Sequence, residues 1–134
     1  MYWDLNTLAP PKAPPGIAKR QSVLDGLAFE LRTSQQMREA LETLVKHSAE
    51  IPEALAREAE LTLEELEKDS RLSTEDVIAY SELQANAGVA WEKAKGNSDF
   101  PAILPYYEKL FEYQKKFAKL RNPELHVYDS LLDD

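Results

Sequence analysis

The sequence contains no cysteine and only two histidines, His47 and His126. Without thiols it can hold no disulfide framework, no thiol nucleophile and no thiolate-rich zinc or iron–sulfur site. Neither histidine stands in a His-Glu-x-x-His run, and the single His47…Glu50 pair leaves a metal short of a third ligand. Glu124-Leu125-His126 has the wrong spacing for the Glu-x-x-His pairs of a di-iron bundle. Glycine is scarce too. No two of the four glycines lie close enough to cradle a phosphate, and no Gly-x-Ser-x-Gly elbow presents a serine nucleophile. No catalytic residue, no metal ligand and no cofactor is therefore assigned within this chain.

Basic residues are in deficit. Sixteen Lys and Arg face twenty-four Asp and Glu, a net charge of -8. That balance argues against nucleic acid, whose binding needs basic surface to displace counterions, and against docking on anionic lipid. No apolar run approaches the roughly 18 residues of a membrane span. Met-Tyr-Trp-Asp at the start lacks the basic region and apolar core of a secretory signal. The expectation is a soluble cytoplasmic chain with neither nucleic acid nor membrane as partner.

What is present is helix-former composition: Ala, Leu, Glu and Lys dominate, 43% of residues are hydrophobic, and 134 residues suffice for one domain. Residues 1–16 stand apart, because four of the eight prolines fall between Pro10 and Pro15. Proline restricts itself and its predecessor to extended backbone, so this stretch reads as a proline-rich arm. Residues 17–134 read as a helical domain. A first helix is expected over about 17–32, with Ile17, Leu24, Leu27, Ala28 and Leu31 on its apolar face. Thr33-Ser34 caps a second, carrying Met37, Leu41, Leu44 and Val45 and stopping near His47. Pro52 opens a third, with the stripe Leu55, Ala59, Leu63 and Leu66.

Ser73-Thr74-Glu75-Asp76 starts a fourth helix running to about Lys95, striped by Val77, Tyr80, Gln84, Ala87, Trp91 and Ala94. Gly88 inside it marks either a close approach of a neighbour or a tolerated defect. Pro101 starts a fifth, lined by Ile103, Tyr107, Leu110, Gln114 and Phe117, and a short turn of helix follows around Val127–Leu132. The fold class is all-α, an antiparallel bundle of about five helices. The aromatic residues Tyr80, Trp91, Tyr107, Phe111 and Phe117 sit at helical spacings and read as core. The carboxylates between Glu58 and Asp69 read as a solvated helix face, and Lys115, Lys116, Lys119 and Arg121 as cations offsetting a helix dipole.

One element has no local reason in a bundle. Trp3-Asp4-Leu5-Asn6-Thr7-Leu8-Ala9-Pro10-Pro11 sets an indole and a short acid before rigid polyproline; it is either a staple over an apolar gap or an arm that shapes a cleft. Here the chain resembles the carboxypeptidase Taq type of thermostable metallocarboxypeptidases. That family carries a Trp-Asp-x-x-Thr-x-x-Pro-Pro-like element (Trp3, Asp4, Thr7, Pro10, Pro11), then an Ala-x-x-Arg-x-x-x-Leu-like helix, to which Arg20 and Leu24 correspond in spacing while Ala18 stands one residue nearer Arg20. Trp91 and Ala94 with Asp99-Phe100 resemble its Trp-x-x-Ala…Asp-Phe segment. Tyr128, Asp129, Leu131, Leu132 and Asp133 resemble its Tyr-Asp-x-Leu-Leu-Asp element.

The resemblance implies a mostly helical zinc enzyme (zinc or cobalt) that removes C-terminal amino acids from peptides. It also implies that the His-Glu-x-x-His helix lies beyond Asp134. On this reading the chain is an N-terminal, non-catalytic slice whose helices wall and cover the peptide cleft. Two other readings are a free-standing helical interaction module without enzymatic activity and a small enzyme using surface carboxylates. A slice also exposes apolar stripes, which implies self-association through helix faces.

Overall fold

Six α-helices and one single-turn 3-10 helix account for nearly all of residues 14–132, the part of the chain that the computed structural model describes. They are α1 (Pro14–Arg32), α2 (Gln35–Lys46), the 3-10 turn (Ser48–Glu50), α3 (Glu53–Asp69), α4 (Thr74–Asn97), α5 (Phe100–Arg121) and α6 (Val127–Leu132). No strand occurs among the described residues. The all-α expectation holds. Trp3, Asp4, Thr7, Pro10 and Pro11, as well as Asp133, lie outside the described residues.

The helix ends follow local chemistry. Ser34 is extended (φ -66°, ψ 153°) and its hydroxyl accepts from Met37 N–H at 3.2 Å, the N-cap bond expected there. At the other end of α2, His47 N–H donates to Thr43 O and Leu44 O, both at 3.2 Å. Pro52 lies immediately before α3, where its carbonyl accepts from Leu55 and Ala56. Helix α1 begins at Pro14, three residues ahead of the expected start. Proline is tolerated there because N–H groups of a first turn have no partner inside the helix.

The chain divides into two compact units. The first comprises Met1–Gly26 and Glu75–Lys116. Among the described residues it buries small side chains, Ala18, Ser22, Ala87 and Ala94, and the larger Ile103. Polar bonds tie its helices together. Asp25 on α1 accepts from Gln21 Nε2 at 2.7 Å and from the Ser81 hydroxyl on α4. Tyr80 on α4 packs at a tilt against Tyr113 of α5, centroids 5.7 Å apart, and its hydroxyl accepts from Gln114. Lys116 reaches Asp76 at 2.6 Å.

The second unit comprises Leu27–Thr74 and Phe117–Asp134. Its core is the α2–α3 contact, where Leu41, Ala59 and Leu66 are buried and Val45 and Leu63 pack against them. Beside it lies an ion-pair cluster. Asp69 is buried; it meets Arg32 at 2.8 Å and Arg121 Nε at 3.4 Å, while Arg121 Nη2 meets Glu65 at 2.6 Å. This corrects two expectations. The 58–69 carboxylates are not uniformly a solvated face, and Arg121 is an ion-pair partner rather than only a dipole-compensating cation. Lys115 and Lys116 likewise bond Glu112 and Asp76.

The apolar faces differ most from expectation. Leu24, Leu27, Ala28 and Leu31 of α1 are exposed, and the buried positions are Ala18, Ser22, Gly26 and Phe29. Three of those four are small. The bulkier stripe is left outward. Similarly, Leu55 is exposed and Ala56 takes the buried place on α3. Gly88 is exposed, and nothing lies within 4 Å of the place a side-chain methyl would occupy, so of the two readings it is the tolerated defect.

Candidate functional site

The α4–α5 junction gathers Trp91, Ala94, Asp99 and Phe100. Helix α4 ends in a Schellman motif: Asp99 N–H donates to Ala94 O at 2.8 Å and Ser98 N–H to Lys95 O at 3.3 Å. Ser98 takes the left-handed conformation this requires, φ 54°, a place more often given to glycine. Asp99 then caps α5, its Oδ1 accepting from Ala102 N–H at 3.3 Å. Pro101 occupies the first turn of α5, where its missing N–H leaves no helical bond unmade. Pro105 lies deeper, within the helix, and removes a donor there.

This tight reversal sets Trp91 near Phe100 and Tyr107. The three, with Lys95, Ser98, Asp99, Ala94 and Ile103, line a cavity of about 320 Å³. The Lys95 ammonium sits 4.5 Å from the centroid of the Trp91 ring, a cation–π contact at i, i+4. Along α5 the rings of Phe100, Tyr107 and Phe111 follow one another at 6.5 Å intervals, tilted by 34° and 33°. Their spacing of seven and four residues keeps them on one face. A second cavity of about 350 Å³, more polar, is lined by Asn86, Lys93, Asn97, Asp99 and Tyr106 among others.

The expectation that the aromatics are core is corrected here. Trp91 is 43% exposed, Phe100 60% and Phe111 62%, whereas Tyr107 is half-buried. Helical spacing identifies a face but not what covers it. Tyr107, Ile103 and Lys95 complete the cleft without having been singled out for it. The i, i+4 offset of Lys95 from Trp91 and the 100–104–107–111 periodicity carried that signal.

A further motif lies in the second unit. Tyr128, Asp129, Leu131 and Leu132 lie on α6 and are all exposed. Helix α6 is held by Ser130, which is buried and donates to Ala118 O at 3.0 Å while accepting from Asn122 Nδ2 at 3.2 Å.

The donor set does not suit a metal. His47 is exposed and its Nδ1 donates to Thr43 O at 2.9 Å; His126 Nδ1 accepts from Tyr128 N–H at 3.3 Å. Among the described residues no group of three or more His, Cys, Asp or Glu side chains could hold an ion. No helix of the described residues is long and apolar enough to cross a membrane. The charged groups lining the Trp91 cleft are the Lys95 ammonium over the indole and the Asp99 carboxylate that caps α5.

The described residues thus form an all-α fold in which Trp91, Asp99 and Phe100 meet at the α4–α5 junction. The family model for carboxypeptidase Taq (M32) metallopeptidases matches residues 1–134, and the chain belongs to that family. It is similar to carboxypeptidase 1 of Bacillus subtilis (strain 168), 33% identical over 133 residues, which is 99% of this chain and 26% of that protein. The crystal structure of BsuCP superposes with a TM-score of 0.91 at 32% identity, covering 98% of this chain and 27% of that one. The chain thus spans about a quarter of the length of the relatives it matches.

Proposed function

We propose that the chain is the N-terminal, non-catalytic helical part of a zinc-dependent metallocarboxypeptidase that removes C-terminal amino acids from peptides. Its helices wall and cover the substrate cleft, and the hydrolytic zinc and its ligands lie in other parts of such an enzyme. The observation that carries this reading is the agreement in fold with BsuCP over 98% of this chain against only 27% of that structure. A cysteine-free, acidic sequence suits the cytoplasm. In isolation the outward leucines and aromatics drive self-association.

The test replaces the matched stretch of Bacillus subtilis carboxypeptidase 1 with this chain. The chimera is expected to fold and to release C-terminal residues from blocked dipeptides in a metal-dependent manner. The 134-residue chain alone is expected to release none, with or without zinc or cobalt. Turnover by the isolated chain would overturn the proposal, as would a chimera that folds but stays inactive.

A further inference from the structure

The polar cavity beside α4 collects side chains that have nothing within the described chain to bond. It follows one face of the helix: Asn86, Val89, Ala90, Lys93, Ala94 and Asn97 line it at i, i+3, i+4, i+7, i+8 and i+11. Tyr106 of α5 lines it as well. Ala94 is buried and Val89 and Ala90 are half-buried, so these three supply a small apolar floor. The side chains of Asn86, Lys93, Asn97 and Tyr106 make no hydrogen bond or ion pair among the described residues. Asn86 and Tyr106 are also half-buried. Polar groups so placed are satisfied only by what enters the cavity.

Size and chemistry narrow the ligand. A volume of about 350 Å³ falls within the range of small-molecule and peptide-sized sites. From Asn86 to Asn97 the helix rises about 16 Å, the length of about five residues of extended polypeptide. A carboxamide carries an acceptor and a donor side by side, as a peptide unit does, and each end of this groove holds one. The Tyr106 hydroxyl both donates and accepts, and the Lys93 ammonium donates to carbonyls. The lining charges are one of each sign, Lys93 and Asp99, and Asp99 already accepts from Ala102 N–H. A single ammonium is no cationic cluster for a phosphate. The set suits a neutral backbone, whatever side chains that backbone bears.

We infer that this groove binds the main chain of an extended peptide, with Asn86 and Asn97 bonding its amides and Lys93 and Tyr106 adding further bonds. The inference rests on the proposed function above and names the part of the substrate held, the residues upstream of the one released. Recognition through the backbone suits an enzyme that trims a chain from its end, because each cycle brings a new sequence into the groove.

An NMR titration of the isolated chain tests this. The probes are a blocked pentapeptide of alanine and serine, the same peptide methylated at every backbone nitrogen, and free alanine. The unmethylated peptide should shift the side-chain amide resonances of Asn86 and Asn97 together, saturating at about millimolar concentration. Asn86→Ala combined with Asn97→Ala should weaken its binding about tenfold, read at the backbone resonance of Ala90. Alanine is the better helix former, so neither substitution threatens the fold. Methylation of the peptide should weaken binding to a similar extent. No shift with the unmethylated peptide would overturn the inference, as would an equal response to the methylated one. Free alanine moving the same resonances at the same concentration would assign the cavity to an amino acid and equally overturn it. An active Bacillus subtilis chimera beside a flat titration would sink the groove alone. An inactive chimera beside the expected titration would sink the proposed enzyme and leave the peptide binding standing.

Discussion

Three side chains make demands that can be checked one at a time. Gly88 sits in the exposed middle of α4 with open space around it. Gly88→Ala should raise the stability of the isolated chain by about 1 kcal/mol, read as an upward shift of the denaturant midpoint with an unchanged slope. Ser98 holds a left-handed backbone at φ 54°, which costs an L-residue about 1–2 kcal/mol. Ser98→Gly should therefore stabilise, by about 0.5–1 kcal/mol once the greater freedom of glycine in the unfolded chain is subtracted. Ser98→Val should do the opposite. Asp69 is the charged counterpart: buried, and shared between Arg32 and Arg121. Asp69→Ala should destabilise by about 2–3 kcal/mol in chemical denaturation, less than the full loss of a buried pair, because Arg121 retains Glu65. Little of this was legible beforehand. Asp69 ends a run of acids whose other members are solvated, and only folding sets two guanidiniums against that one carboxylate.

At the scale of elements, starts and stops were legible, and so was the α2–α3 face, where Leu41, Ala59 and Leu66 are buried as their spacing implies; the face of α1 was not. Ser34 and Pro52 announce helix starts through bonds their own side chain or backbone makes, and Pro101 through a missing N–H that a first turn does not need, so local sequence contains the reason. Which stripe of α1 turns inward depends on what packs against it. Leu24, Leu27 and Leu31 make the stronger apolar pattern, yet the small face of Ala18, Ser22 and Gly26 is the buried one. The Trp91–Asp99–Phe100 grouping was visible as a motif, but its geometry required the Schellman reversal at Ser98, which no composition argument supplies. The α2–α3 contact offers the complementary test. Leu66 is 1% exposed, and Leu66→Ala should cost about 2–5 kcal/mol in thermal or denaturant unfolding, whereas Leu55→Ala on the exposed side of α3 should cost under about 0.5 kcal/mol. Ser34→Ala should cost about 1 kcal/mol through loss of the Met37 cap.

For the molecule as a whole, the decisive facts are membership of a metallopeptidase family and a described structure without a metal-binding cluster. Calorimetric titration of the isolated chain with zinc is expected to show no tight stoichiometric binding, and a tightly held ion would contradict the division of labour proposed here. Light scattering should show mass rising with concentration, and Phe111→Asp should reduce that rise without lowering the unfolding midpoint. The outward leucines of α1 have a further consequence inside a cell. Chaperones and proteases recognise unsatisfied greasy helices as the mark of unfinished synthesis. A copy of these helices left alone should therefore be short-lived, with a pulse-chase half-life that lengthens when Leu24, Leu27 and Leu31 are all changed to glutamine.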